Sequence, residues 1–166
     1  MGKVVSQDEL ILHRSEWKRN GKRVVFVSGS FDLLHPGHVR LLEQARALGD
    51  LLVVGVESDA AVRAKSGKAA APNRNLAHPI TPIGERMEIL AALAATDYVV
   101  EFDAPTPRDL LVRLKPEIIV EGGGDTDPSF TDRSEPHATE PRIVRIPLEP
   151  GFSTSRLIDR IKQLTA

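Results

Sequence analysis

Five short apolar runs, several rich in β-branched residues, recur along the chain with amphipathic or loop-like stretches between them. They cover residues 23–28, 51–56, 98–102, 118–121 and 142–147. Runs of this length and composition, bounded by glycine, proline or charged residues, are typical of buried strands. The pattern therefore predicts five strands.

Helical patterns alternate with these strands. They are predicted over residues 6–20, 38–48, 59–65, 82–94, 106–115 and 153–164. Ser6 and Glu9 match a capping box, and Thr81 is the expected cap of the helix that begins at Pro82. Strand–helix alternation favours a parallel sheet that is covered on both faces.

The predicted fold class is therefore α/β, with a Rossmann-like doubly wound five-stranded parallel sheet. We expect a single domain over residues 1–166, in which 1–21 form an N-terminal helical extension and 22–166 the catalytic core. Residues 66–80 and 127–141 are rich in proline and polar residues and are predicted to be long loops. Loops of this length in a compact domain are often functional.

Composition excludes several classes of function. The chain has 166 residues, a formal net charge of −1 and no cysteine. A balanced charge gives no broad electrostatic surface for nucleic acid or a membrane, so neither is expected as a partner. Absence of cysteine excludes disulfides, thiolate metal sites and thiol nucleophiles. The N-terminus is polar and lacks the apolar run of a signal peptide, so a cytoplasmic location is expected.

The turn after the first strand carries the most specific chemistry. Gly29 permits a sharp turn, and His35 and His38 stand three residues apart where a helix begins. Two imidazoles beside exposed helix amides suit phosphate oxygens, and Gly37 leaves the backbone open to a ligand. The alternatives are a structural histidine pair or a metal site, for which Asp32 is the obvious third ligand.

Two further segments follow strands at the same predicted edge of the sheet. Residues 151–155 place three hydroxyls at a helix start, which suits a second anion site, although Ser153 could simply be the N-cap. Gly122, Gly123, Gly124 and Asp125 form a turn that could admit a base or ribose, or a tight loop without a ligand.

Single charged residues are weaker indications of a phosphate site than the histidine turn. Lys65, Lys68, Arg63 and Arg86 are candidate cations for a transferred phosphoryl group, although each taken singly is more typical of a solvated surface. No partner in the sequence marks the other three histidines, and they are interpreted as surface residues: His13, His78 and His137.

Residues 28–38, SGSFDLLHPGH, resemble the G-x-F-D-x-x-H-x-G-H signature of the cytidylyltransferase-like nucleotidyltransferases. Nearly the whole chain is similar to the adenylyltransferase domain of ADP-heptose synthesis, which acts on heptose 1-phosphate. The supporting stretches are residues 21–50, PITPIGERMEIL, DYVVEFDAPTP and GFSTSRLIDRI.

The resemblance implies a role for each matching residue. His35, His38, Lys65 and Arg86 would be catalytic, with the two histidines on the triphosphate. The nucleotide would be bound by the remaining matching positions, which are Gly29, Ser30, Phe31, Asp32, Gly37, Gly122, Gly123, Gly124, Asp125, Phe152, Ser153, Thr154 and Ser155. Mg²⁺ is expected as a cofactor carried by the triphosphate, with Asp32 as the one side chain that could contact it.

Three positions depart from the pattern. Glu121 stands where the family usually has lysine, and the turn after it has one extra glycine. The loop over residues 66–80 is longer than usual, and Ser28 replaces a common asparagine. The first departure leaves the choice of base open, and the second leaves the acceptor open.

The resemblance implies transfer of a nucleoside monophosphate, with ATP favoured, to a sugar phosphate such as D-glycero-D-manno-heptose 1-phosphate, with pyrophosphate released. CTP-dependent transfer to another sugar or alcohol phosphate is one alternative. Adenylyl transfer to a pantetheine or flavin precursor is another, and a nucleotide-binding module without catalysis is a third. The expected partners are the triphosphate and a small phosphorylated substrate, and a homodimer is left open.

Overall fold

The computed structural model of the chain describes residues 1–68, 78–103, 107–122, 141–147 and 151–164. In chain order its elements are β1 (Lys3–Val4), α1 (Gln7–Arg19), β2 (Val24–Gly29), α2 (Pro36–Arg46), β3 (Leu51–Glu57), α3 (Asp59–Lys68), α4 (Ile83–Ala92), β4 (Tyr98–Phe102), α5 (Arg108–Leu114), β5 (Ile118–Gly122), β6 (Arg142–Ile146) and α6 (Thr154–Leu164).

All described strands form one parallel sheet in the order β1-β4-β3-β2-β5-β6. The α/β class and the five predicted strands are confirmed, but the sheet has a sixth strand. That strand is β1, in which Lys3 pairs with Tyr98 and Val4 with Val99. Two residues are too short to give a periodic signal, and only pairing with β4 makes this segment a strand.

Helices cover both faces of the sheet, as the alternation of its strands requires. On one face, Val25 and Val27 of β2 pack with Leu42 of α2 and Leu90 of α4. On the other, Val24 and Phe26 pack with a second set from α1 and α5, namely Leu10, Trp17, Leu110 and Leu114. Both faces of β2 are therefore buried, which explains its uninterrupted apolar sequence.

Several element boundaries differ from the sequence predictions. The capping box at Ser6 is confirmed: Ser6 Oγ accepts from the Glu9 amide, and the Glu9 carboxylate accepts from the Ser6 amide. The expected cap at Thr81 is wrong, because α4 begins at Ile83 and Pro82 occupies the N-cap position. The helix predicted to stop at Lys65 continues to Lys68.

The strand order fixes where a ligand can bind. From β2 the chain runs through β3 to β4 on one side of the sheet, and then crosses to β5 and β6 on the other. Ligands of such sheets bind beyond the carboxyl ends of the strands where this order reverses, which here is between β2 and β5. Among the described residues, no helix has both the length and the apolar character of a membrane span.

Candidate active site

The turn from β2 to α2 is held in an unusual backbone conformation. Phe31 has a φ of 47°, in the left-handed region that bulky residues rarely adopt. Its ring is buried and lies over Gly29, where an added Cβ would come within 3.2 Å of the ring. Gly29 thus leaves room for the close approach of Phe31, whereas the sharp turn expected at Gly29 is not seen there: Gly29 ends β2, and the left-handed residue is Phe31.

His35 and His38 form a stacked pair at the start of α2. Their ring centroids are 3.8 Å apart with an interplanar angle of 17°. The edge of Phe31 contacts His38 at a centroid distance of 5.4 Å. His35 is the N-cap residue of α2, but its side chain makes no capping bond. In the described part of the chain, neither Nδ1 atom has a hydrogen-bond partner, although both atoms are buried.

Burial shifts the pKa of both imidazoles. Desolvation lowers the pKa of His35 below its usual value. For His38, desolvation and, secondarily, the neighbouring His35 lower the pKa to about 4. Both rings are therefore neutral near pH 7 in the free protein, because the burial that stacks them also removes water from any charge. An anion in contact with them would oppose this shift.

The N-terminus of α6 lies against that of α2. A Cβ on Gly37 would stand 3.1 Å from the His35 ring and 3.1 Å from Cβ of Phe152. The rings of His35 and Phe152 lie 6.4 Å apart, nearly parallel. The space expected to admit a ligand beside Gly37 is therefore filled by these two side chains. Gly37 instead allows the two helix ends to meet.

The hydroxyl cluster at α6 has mixed roles. Ser153 Oγ accepts from the Arg156 amide at 3.2 Å, so Ser153 is the N-cap of the helix. Thr154 and Ser155 occupy the first turn. The guanidinium of Arg40, on α2, lies 5.4 Å from the centroid of Phe152. Sequence reasoning missed Arg40, because nothing in its spacing marked it as a neighbour of a residue more than 100 positions away.

Asp32 binds the backbone that leads into α4. Its Oδ1 accepts from the amides of Ile80 and Thr81, each at 2.8 Å, and its Oδ2 lies 3.1 Å from Nδ1 of His78. Although desolvation opposes it, these hydrogen bonds keep the pKa of the carboxyl low. The interpretation of His78 as a surface residue is wrong, since its side chain is mostly buried against Asp32.

Arg86 is buried beneath the turn. Its Nη1 donates to the Ser30 carbonyl, its Nε to the Thr81 carbonyl at 2.9 Å and its Nη2 to Asp59 at 2.6 Å. The side chain has no exposed surface. In this arrangement all three guanidinium nitrogens donate to protein groups.

Lys65 lies on α3 and pairs with Glu57 at 2.6 Å. Glu57 ends β3 and is buried, whereas the Lys65 side chain is 44% exposed. Arg63 is an exposed residue of the same helix. The side chain of Lys68 lies outside the described residues.

Gly122 ends β5, and a Cβ there would lie 2.7 Å from Cδ2 of Leu41 on α2. This glycine therefore lets the Leu41 side chain of α2 pack closely against the end of β5. Glu121 pairs with Arg145 of the neighbouring strand at 3.2 Å. Gly123, Gly124 and Asp125, predicted to line a base pocket, lie outside the described residues.

No side chains in the described ranges form a group of three that could hold a metal ion. The Asp32 carboxylate has two amides and His78 as partners, so it does not fit the role of a metal ligand in this arrangement.

The histidine turn and the start of α6 both lie within a region shared with known proteins. Residues 26–156 match the family model described as cytidylyltransferase-like. The chain belongs to this family. The cytidylyltransferase-like match confirms the family and the nucleotidyltransferase class predicted from the sequence.

Curated relatives share this cytidylyltransferase-like region. The bifunctional protein HldE of Koribacter versatilis is 40% identical over 158 residues, which are 95% of this chain and 31% of that protein. HldE of Syntrophotalea carbinolica is 45% identical over 144 residues, 87% of this chain and 28% of that protein. The chain thus spans about a third of the length of these relatives.

Solved structures agree with the fold. The lipopolysaccharide core biosynthesis protein of Thermoplasma volcanium superposes with a TM-score of 0.61 at 26% identity, over 78% of this chain and 99% of that one. The pantothenate synthetase of Thermus thermophilus superposes with a TM-score of 0.56 at 17% identity, over 87% and 61%. The second likeness supports the fold alone.

Stability should depend on the protonation of His38. Its pKa is lower in the folded protein than in the unfolded chain, so between about pH 4 and 6.5 the unfolded chain binds more protons. We expect stability to fall as pH is lowered through this window, by on the order of 1–2 kcal/mol from this group after allowing for partial exposure. Urea unfolding at pH 7 and about pH 4.5 should show a smaller loss for His38→Asn. Equal losses for the wild type and His38→Asn would disprove the contribution of His38 to this pH dependence.

Gly37→Ala should disturb the site more than the fold. Alanine favours a helix over glycine by up to about 1 kcal/mol, but the added methyl crowds His35 and Phe152. We expect near-normal thermal stability together with weakened triphosphate binding, measured by calorimetry. Gly84→Ala is a matched control, because Gly84 is also the second residue of its helix and has open space around it. Unchanged binding in Gly37→Ala would contradict the packing argument.

Proposed function

We propose that the chain transfers the nucleoside monophosphate of a triphosphate, with ATP favoured, to a sugar phosphate such as D-glycero-D-manno-heptose 1-phosphate. Pyrophosphate is the second product. The cytidylyltransferase-like match supports the reaction class. The HldE relatives and the lipopolysaccharide core biosynthesis protein support a sugar phosphate as the acceptor.

One observation carries the proposal: the stacked histidine pair lies where the N-termini of α2 and α6 meet, at the reversal point of the sheet. Each helix directs the positive end of its dipole toward this point. Two positive helix ends beside two imidazoles suit the several negatively charged oxygens of a polyphosphate.

The reaction is an in-line displacement at the α-phosphorus. An oxygen of the acceptor phosphate forms the new P–O bond, the bond between the α-phosphorus and the bridging oxygen breaks, and pyrophosphate leaves with the electron pair. A phosphate monoester is already an anionic nucleophile, so no general base is required. Catalysis then depends on positioning and on neutralising charge.

The position of each site residue suggests its role in binding the triphosphate or neutralising charge. His35 and His38 donate to phosphate oxygens and gain positive character as the ligand raises their pKa. Lys65 supplies a cation that is held by Glu57. Backbone groups of Ser30 and Phe31 border the nucleotide. Mg²⁺ remains an expectation, and it would enter with the triphosphate, because Mg²⁺ is commonly held through substrate phosphates with few protein ligands.

The test is pyrophosphate release from each of the four ribonucleoside triphosphates with a panel of phosphorylated acceptors. We expect turnover with ATP and a heptose 1-phosphate. His35→Ala and His38→Ala should each lower kcat by roughly 10²–10³-fold, because each removes a donor to the transferred group. Circular dichroism should show an intact fold in both variants.

Other outcomes distinguish the alternatives. Turnover with CTP alone would assign a cytidylyltransferase, and turnover with a pantetheine or flavin precursor would change the acceptor class. Nucleotide binding without release in any pair would identify a non-catalytic module. Near-normal rates in a His35→Ala/His38→Ala double variant would rule out a mechanism in which these histidines stabilise the transferred phosphoryl group.

Triphosphate binding should take up a proton. His38 is neutral in the free protein down to about pH 4, and a bound polyanion favours its charged form. Affinity should therefore rise as pH falls below the pKa of the bound imidazole toward about 4, by up to about tenfold per pH unit for one proton taken up. The ligand itself also titrates in this range, so calorimetry of the wild type is compared with His38→Asn. Identical pH slopes would rule out proton uptake by this imidazole.

A further inference from the structure

We infer that Arg86 and Asp32 are positioning residues, which brace the left-handed turn at Phe31 from both sides and so hold the histidine pair in place. Neither residue has to contact phosphate or metal. The catalytic part of this inference rests on the proposed function, but its structural part does not.

Arg86 fixes the residue that precedes the turn. Its Nη1 donates to the carbonyl of Ser30, while its Nε donates to the carbonyl of Thr81 at 2.9 Å. Asp59 at 2.6 Å supplies the opposite charge to a guanidinium that is fully enclosed. Buried charge needs such pairing, because an unpaired guanidinium would carry a large desolvation cost.

Asp32 directly follows Phe31, and its side chain anchors that side of the turn. Its carboxylate accepts from the amides of Ile80 and Thr81, and it pairs with His78. Thr81 therefore contacts both positioning residues: its amide donates to Asp32 and its carbonyl accepts from Arg86. The two contacts close a ring of hydrogen bonds that encloses Phe31.

This ring explains how Phe31 keeps a φ of 47°. A non-glycine residue in that region is strained, and the conformation persists only where its surroundings hold it. The conformation has a direct result, because the buried Phe31 ring lies at the edge of His38, and His38 stacks on His35. A relaxed turn would move the Phe31 ring away from His38.

Direct phosphate binding by Arg86 is incompatible with this arrangement. All three guanidinium nitrogens donate to the protein, and none of the side chain is exposed. Turning toward a ligand would break three hydrogen bonds and leave Asp59 without its cation. The position that the sequence marked as catalytic is therefore better explained as a support of the turn.

Arg14 provides a matched control for the experiment. It is also buried, and it also donates to two carbonyls, of Leu114 and Lys115, and to one carboxylate, of Glu117. These partners lie at the N-terminal end of β5, on the opposite edge of the sheet from the histidines. Arg14→Lys and Arg86→Lys thus each disturb hydrogen bonds to two carbonyls and one carboxylate. Only Arg86→Lys does so next to the histidine turn.

The readout is NMR titration of the imidazoles in the free protein, with signals assigned from His35→Gln and His38→Gln. We expect Arg86→Lys to raise the pKa of His38 by about one unit or more as its ring becomes solvated. We expect Arg14→Lys to lower the melting temperature comparably without moving these signals. Unchanged histidine signals in Arg86→Lys, or equal shifts in both variants, would overturn the inference.

A second variant covers the case in which Arg86→Lys does not fold. Asp32→Asn keeps an oxygen for the two amides but removes the charge that pairs with His78, so it should shift the His38 signal in the same direction. In the activity assay, both variants should lower kcat, by up to on the order of 10²-fold, with little change in KM for the triphosphate. A rise in KM with kcat unchanged would instead indicate direct phosphate binding. If the proposed function is wrong, the activity assay will show no turnover. The NMR titration still tests whether Arg86 and Asp32 hold the histidine pair.

Discussion

The stacking of two imidazoles at 3.8 Å is the contact on which the site depends. It requires the ring of His35 to turn inward at the cap of α2 and the ring of His38 to lie against Phe31. The inward position of the His35 ring leaves little room for a side chain at Gly37. The contact of Phe31 with His38 depends on the unfavourable left-handed backbone of Phe31. Burial of the same pair lowers the pKa of both rings, so the free protein does not carry two facing cations near pH 7.

Much of this architecture could be predicted from sequence. The strands show clear apolar runs because both faces of the central strands are buried, and the turn residues between β2 and α2 are distinctive. The start of α6 was also expected at the same edge of the sheet, and Phe152 does lie beside His35. Strand β1 could not be predicted, since its two residues have no pattern of their own.

The roles of charged residues were harder to predict, because burial is not visible in a linear sequence. Arg86 and His78 follow an exposed-looking stretch, and arginine and histidine are usually at the surface. Their burial depends on partners far away in the chain: Ser30 for Arg86, and Asp32 for His78. Glycines pose a similar problem, since Gly122 serves the packing of Leu41, which lies about 80 residues earlier.

The contact between Gly37 and Phe152 joins positions 115 residues apart, which is most of the chain. During synthesis, the strand and helix that carry the histidines emerge early, whereas the second helix end is made only after β6. Closing so long a loop is an entropic cost that local structure cannot offset in advance. The junction of the two helix ends is therefore a late product of folding, and a nascent chain that has not passed Phe152 holds only one of the two ends.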